Sequence, residues 1–247
     1  MRALKLIPII LLILITGCSL LPEQIDETKS WSAQRIYERA QEAMRNQNYE
    51  AAIKYFESLE ARYPFGRYAQ QALIETAYAY YKFSEPDSAV ATADRFIKIY
   101  PQHPHTDYAY YLKGLANFSR GDNFIDKYLP RDPSERDPGA SRQSFLDFAE
   151  LIKRFPRSQY AKDAGLRMAF LRNNLGWYEV HVADYYMRRG AHIAAINRCK
   201  HVLNNYPQTP AIPRALEIMI EAYKILDMDD LAADAQKVLD LNTLSGT

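Results

Sequence analysis

Two cysteines and five histidines are the side chains with the most specific chemistry in this chain of 247 residues. Cys18 follows two positive charges, Arg2 and Lys5, and the apolar run Leu6 to Ile15, which only Pro8 interrupts. A thiol placed where the apolar stretch of a signal peptide ends and its cleavage site begins is a candidate for cleavage in front of it and for acylation. Acyl chains contribute about 0.8 kcal/mol per buried CH2, and two or more chains give stable anchoring. Cys199 has neighbours that suggest a metal site, His192 and His201. At about 100° per residue, however, His192 and Cys199 roughly align while His201 is turned away by about 200°. His103, His105 and His181 are scattered, and the chain has neither a Gly-rich phosphate loop nor a nucleophile elbow. Carboxylate pairs are as plentiful as on any charged helix surface. The expectation is a protein without catalysis, metal or cofactor.

Ile15-Thr16-Gly17-Cys18 resembles the lipobox of bacterial lipoproteins, with Thr16 departing from the usual Ala or Ser. The resemblance implies removal of residues 1–17 and a lipid on Cys18. Because Ser19 rather than Asp follows, it also implies the outer membrane with the chain facing the periplasm. The ten apolar residues reach about 15 Å as a helix, half of the roughly 30 Å hydrocarbon core, so they do not form a spanning helix. The chain carries 31 Lys and Arg against 30 Asp and Glu, a formal +1, which loss of Arg2 and Lys5 turns to −1. So balanced a charge attracts neither nucleic acid nor anionic lipid. With Cys18 acylated, Cys199 has no partner for an internal disulfide.

The elements that must position any site are helices. Glycine is scarce at 9 residues and tyrosine abundant at 19, in a chain 48% hydrophobic. Four times an apolar stretch ends in aromatic-Pro: Tyr63-Pro64, Tyr100-Pro101, Phe155-Pro156 and Tyr206-Pro207. At 12, 8 and 5 residues before these prolines stand Ala52, Phe56, Leu59; Ala89, Ala93, Phe96; Ser144, Phe148, Leu151; and Ala195, Cys199, Val202. Steps of four and three mark one helix face. A fifth copy, Leu231, Ala235, Val238, lacks the proline. Each such helix follows another across a turn such as Asn46-Gln47-Asn48, Arg189-Gly190 or Asp227 to Asp230. The first two prolines lie 37 residues apart, and the unit resembles the tetratricopeptide repeat with its period of roughly 34. An all-α fold of five helix-turn-helix repeats stacked into a superhelix is expected, since one pair cannot bury its stripe alone.

The wider intervals that follow, 55 and 51 residues, are assigned to a loop inserted at 121–139 and to a first helix of nearly thirty residues between Tyr160 and Arg189. Asp137 and Pro138 read as the N-cap and first position of the helix after that loop. The division is then signal peptide 1–17, lipidated flexible leash 18–31, N-terminal repeats one to three at 32–157, and C-terminal repeats four and five at 158–243. Tyr78, Tyr80 and Tyr81 recur as Tyr108, Tyr110 and Tyr111 in the first helices of repeats two and three, which line the concave groove in tetratricopeptide folds. At least half belong to the core; the remainder, with Tyr78 and Tyr108 as candidates, could offer amphipathic rings to an extended peptide. Phe65, a large apolar residue in a turn, either packs locally or receives a ligand.

The joints Arg62-Tyr63-Pro64-Phe65-Gly66, Asp94-Arg95-Phe96-Ile97, His103-Pro104, Asp107-Tyr108, Arg136-Asp137-Pro138 and Tyr185-Tyr186, followed by Arg189-Gly190-Ala191, span most of residues 32–241. With the lipobox, they make the chain similar to the BamD (ComL) family, tetratricopeptide lipoproteins of the outer-membrane β-barrel assembly machine. The resemblance implies a non-catalytic subunit. Its N-terminal repeats would receive unfolded outer-membrane proteins, and its C-terminal repeats would dock on the periplasmic domain of a BamA-like barrel protein, alongside other lipoproteins of the complex. It makes Tyr63, Phe65 and Tyr68 groove candidates and Arg198, in Asn197-Arg198-Cys199, the docking candidate; a solvated helix charge remains the other reading of Arg198. Phe124 to Leu129 match nothing in the family. Two other readings stay open. One is a cell-wall enzyme, which needs an acid isolated in a deep cleft, and the other is a tetratricopeptide lipoprotein adaptor of a different envelope complex.

Overall fold

A computed structural model of the chain describes residues 27–120, 132, 134 and 138–244. Cys18 and the signal peptide, most of the leash, most of the inserted loop and the expected N-cap Asp137 lie outside the described residues. Among those described there are ten helices and no strand, and the helices form five antiparallel pairs. The pairs are α1 (Ala33–Arg45) with α2 (Tyr49–Arg62), α3 (Arg67–Lys82) with α4 (Pro86–Ile99), and α5 (Thr106–Ser119) with α6 (Pro138–Arg154). They continue with α7 (Ala161–Arg188) and α8 (His192–Asn205), then α9 (Ile212–Ile225) and α10 (Asp229–Leu244). The tetratricopeptide expectation therefore holds, with α7 running for 28 residues and the insertion falling between α5 and α6.

Local chemistry sets the boundaries. Ser32 caps α1 by accepting the Arg35 amide at 3.3 Å, and Asn48 caps α2 through the Ala51 amide at 3.2 Å. Four pairs turn through one left-handed residue: Gln47, Ser84, Gly190 and Asp227, at φ 58°, 64°, 71° and 55°. After each, the next amide reaches back to a carbonyl of the helix, Asn48 to Ala43, Glu85 to Tyr80, Ala191 to Tyr186 and Met228 to Tyr223, at 2.9–3.0 Å. This bonding ends a helix and starts its partner within three residues. At the far end of the pair, Tyr63, Tyr100 and Tyr206 sit at φ −129°, −125° and −125°. The following proline excludes the helical conformation there.

The repeated face is the core. All twelve residues at the three repeat positions of α2, α4, α6 and α8 are 0% exposed, and each Phe, Leu or Val among them contributes about 1.5–3 kcal/mol. Ser144 joins them by donating its hydroxyl to the Gly114 carbonyl at 2.9 Å. A Cβ on Gly114 would lie 2.3 Å from the Phe148 ring, so α5 and α6 touch where only glycine fits. The fifth copy behaves differently. Ala235 is buried, but Leu231 and Val238 are 46% and 44% exposed, and among the described residues no further helix pair packs on α10.

First helices of neighbouring repeats lie side by side as an inner layer, α1 with α3, α3 with α5, and α7 with α9. Between α5 and α7 the joint is made by side chains. The Tyr111 hydroxyl donates to Asp163 at 2.6 Å, Tyr111 stacks on Tyr160 at 4.7 Å, and Phe118 meets Phe170 at 5.8 Å. Ala164 and Leu171, in the first half of α7, pack with repeat three; Val180 and Ala183, in its second half, pack with repeats four and five. One long helix thus joins two halves.

Candidate functional site

At the N-terminal end the chain arriving from the leash is fastened beside the Tyr63-Pro64-Phe65-Gly66 turn. Arg62 donates to both the carbonyl and the hydroxyl of Thr28, the Tyr63 hydroxyl donates to the Trp31 carbonyl at 3.0 Å, and Trp31 stacks on Tyr55. Tyr63 is therefore half-buried and holds the entry segment in place. Gly66, at φ 97°, opens α3 in a conformation that side chains resist. The resulting bend leaves Phe65 88% exposed. Tyr68 is intermediate: its ring lies 5.4 Å from Tyr37, and Arg67 covers it at 4.8 Å. Of the three N-terminal candidates, Phe65 alone has its ring uncommitted to packing.

Tyr78 and Tyr108 pack in the seam between repeats two and three, around Ala77, Ala93 and Leu112. Tyr108 also meets Tyr160 at 5.3 Å, and burial first, then the surrounding tyrosines, pushes its phenol above the usual range. All six recurring tyrosines are half-buried, so each divides its ring between core and surface rather than belonging to one of them.

A polar cluster between α1 and α3 has no counterpart in the sequence pattern. The Glu75 carboxylate accepts from the Tyr37 hydroxyl at 2.8 Å, from Gln71 at 2.6 Å and from Gln41. Burial raises the Glu75 carboxyl above its ordinary range against the pull of the Gln71 and Tyr37 hydrogen bonds. Gln71 and Glu75 are one helical turn apart, but the Tyr37 contribution comes from another helix, and periodicity carries no trace of that.

At the other end, Arg198 lies on α8 beside the fully buried Cys199, whose thiol burial pushes up to about 12. Arg198 donates to Glu179 on α7 at 2.9 Å, with the arginine side chain 44% and the glutamate 3% exposed. A cleft of about 620 Å³ opens here, lined by Tyr178, His181, Tyr185, Tyr186, Arg188 and Arg198. Asp184, also at this cleft, is engaged by Arg214 at 2.8 Å. The sequence does signal Glu179: it lies one helical turn from the buried Leu175 and one from the buried Ala183, an acid in an apolar stripe.

Among the described residues no group of His, Cys, Asp and Glu is arranged to hold a metal, and no helix is long and apolar enough to cross a membrane. The two buried carboxylates there, Asp147 and Glu179, are not isolated. Asp147 accepts from Asn117 at 2.6 Å, with Lys113 at 3.7 Å.

A family model described as an outer membrane lipoprotein, YfiO, matches residues 29–239. The chain is 47% identical over 215 residues to the outer membrane protein assembly factor BamD of Neisseria meningitidis serogroup B, covering 87% of this chain and 80% of that protein. It is 37% identical to the BamD of Vibrio cholerae, over 94% of this chain and 95% of the other, and 33% identical to that of Haemophilus influenzae, over 93% and 86%. Matches of this length run through both halves of the helical stack and both candidate ends, and the chain belongs to the YfiO/BamD family of outer membrane lipoproteins.

Proposed function

We propose that this chain is a non-catalytic lipoprotein scaffold in the assembly of outer-membrane β-barrel proteins, held by lipid on Cys18 at the outer membrane and facing the periplasm. The observation that carries this reading is its similarity, over nearly the whole chain, to proteins named outer membrane protein assembly factor BamD. In the finer part of the proposal the N-terminal repeats receive unfolded barrel substrates. Phe65 is the exposed contact, Tyr68 and Tyr63 flank it, and the outward parts of Tyr78 and Tyr108 extend the surface. An exposed aromatic held on a fixed bend suits this task, because it offers area to an extended chain with little entropy to lose. The C-terminal repeats dock on the periplasmic domain of a BamA-like partner through Arg198, and other lipoproteins of the complex associate with the same scaffold.

Photo-crosslinking groups placed at Phe65 and at Arg198 in the membrane-anchored protein test the two-ended arrangement. Unfolded barrel precursors are expected at Phe65 and the BamA-like protein at Arg198. The same partner at both positions would defeat it. An adaptor of a different envelope complex is the alternative, and capture of the detergent-extracted protein without any barrel protein or BamA-like partner would favour it.

A further inference from the structure

Glu179 is 2% exposed on a helix whose neighbouring buried positions are aliphatic. Taking a carboxylate out of water is costly, and replacing a buried ion pair by apolar residues is often neutral or stabilising. Packing alone therefore does not account for an acid here. Its contacts are specific. Oε2 accepts from Nη1 of Arg198 at 2.9 Å, and Oε1 lies 3.9 Å from Nε2 of His201. Both basic groups stand on α8 about one turn apart, and both are 44% exposed. An arginine on an open helix face carries rotamer freedom that a partner must overcome. Anchoring one donor of its five on a buried carboxylate removes much of that freedom before any partner arrives.

We propose that Glu179 is the positioning residue of the C-terminal docking face, gripping one edge of the Arg198 guanidinium and presenting the rest to an anionic group of the docking partner. The proposal rests on the Arg198 docking reading above. Guanidinium donors recognise anionic oxygens: Arg188 and Arg198 both border the cleft, the Asp184 carboxylate there is engaged by Arg214, Asp132 lies 3.9 Å from His181, and the bond to Glu179 takes one of the five Arg198 donors. Glu179 itself lies beneath the surface, so its influence on a partner runs through Arg198.

The experiment is a double-mutant cycle on the full lipoprotein in detergent, with the purified periplasmic domain of the BamA-like partner as the probe and equilibrium affinity as the readout. Arg198→Ala is expected to weaken binding about tenfold, and Glu179→Gln, which keeps the volume but not the charge, about fivefold. Glu179→Gln added to Arg198→Ala is expected to weaken binding no further. Glu179→Asp, which retains the charge, is expected to bind within about twofold of the original protein. Wild-type affinity in Glu179→Gln, or a loss that persists at full size in the Arg198→Ala background, overturns the positioning role; the second result marks Glu179 as merely structural. An unchanged affinity in Arg198→Ala is a different result, and it defeats the docking reading itself.

Discussion

Repeats one to three bury their apolar face in several smaller clusters, those of Phe56, Phe96, Leu112 and Phe148, the middle two sharing Tyr108 and the last reaching Ala164 and Leu171 of α7, whereas the second half of α7 and repeats four and five otherwise share one larger, mainly aliphatic cluster from Val180 to Ala232. The first half is rimmed with tyrosines whose hydroxyls bond carboxylates: Tyr37 to Glu75, Tyr80 to Glu57, Tyr111 to Asp163. In a stack where each repeat contacts only its neighbours, stability is close to a sum of local terms. A segmented, hydroxyl-lined half is then expected to open repeat by repeat, and a half with one continuous core to open as a unit. That division would suit the proposed receiving and docking ends, because an extended substrate is accommodated by local adjustment and a partner domain by a fixed face.

The largest expected effect is at Phe148. Phe148→Ala removes a fully buried ring and is expected to cost about 3–5 kcal/mol. Gly114→Ala drives a methyl into the same ring and is expected to cost about 1–3 kcal/mol. Hydrogen exchange decides what opens. Protection is expected to fall in α5, α6 and the first half of α7 and to persist in α8 and α9. Loss of protection in every helix at once would abolish the contrast between the halves.

Glu75 sharpens the same contrast through pH. Its folded carboxyl titrates above the ordinary value because of burial. Between the two values the native state binds more protons than the unfolded chain, so this group's contribution to stability is fully present below the unfolded value and is lost as pH rises through the folded one. Relative to Glu75→Gln, the original protein is therefore expected to lose stability on going from about pH 4 to neutrality, read by urea unfolding. The change belongs to α1 and α3, and a matching slope in the protection of α8 and α9 would tie the two halves together.

Much of this architecture was legible because it repeats. Spacing of four and three identified the buried faces of four second helices, down to the small Ala93 and Cys199, and the excess residues placed the insertion and the length of α7. The fifth copy escaped, since Leu231 and Val238 stay half-exposed on α10, against which no further pair packs among the described residues. The tyrosines resisted sorting because a ring on the inner layer is shared between a neighbouring repeat and the groove. Glu75 and Glu179 form cross-helix contacts whose partners depend on how helices are stacked, although the apolar flanks of Glu179 were visible on one strand of text. At the candidate site, Phe65 was conspicuous as an apolar residue in a turn, while the engagement of Tyr63 with Trp31 was not.

The smallest effect tests the turns the halves have in common. Ser84 and Asp227 hold left-handed backbone at φ 64° and 55°, a region in which residues with a Cβ are less at ease than glycine. Ser84→Gly and Asp227→Gly relieve that conformation while the unfolded chain gains freedom, so each is expected to stabilise by no more than about 0.5–1 kcal/mol. The location of the gain is the informative part. From Ser84 it is expected to appear as slower exchange confined to α3 and α4. From Asp227 it is expected to spread through the second half of α7, α8 and α9, because their buried side chains belong to one cluster. Equal spread from both positions would show the five repeats to be a single cooperative unit and remove the physical basis for a yielding receiving end.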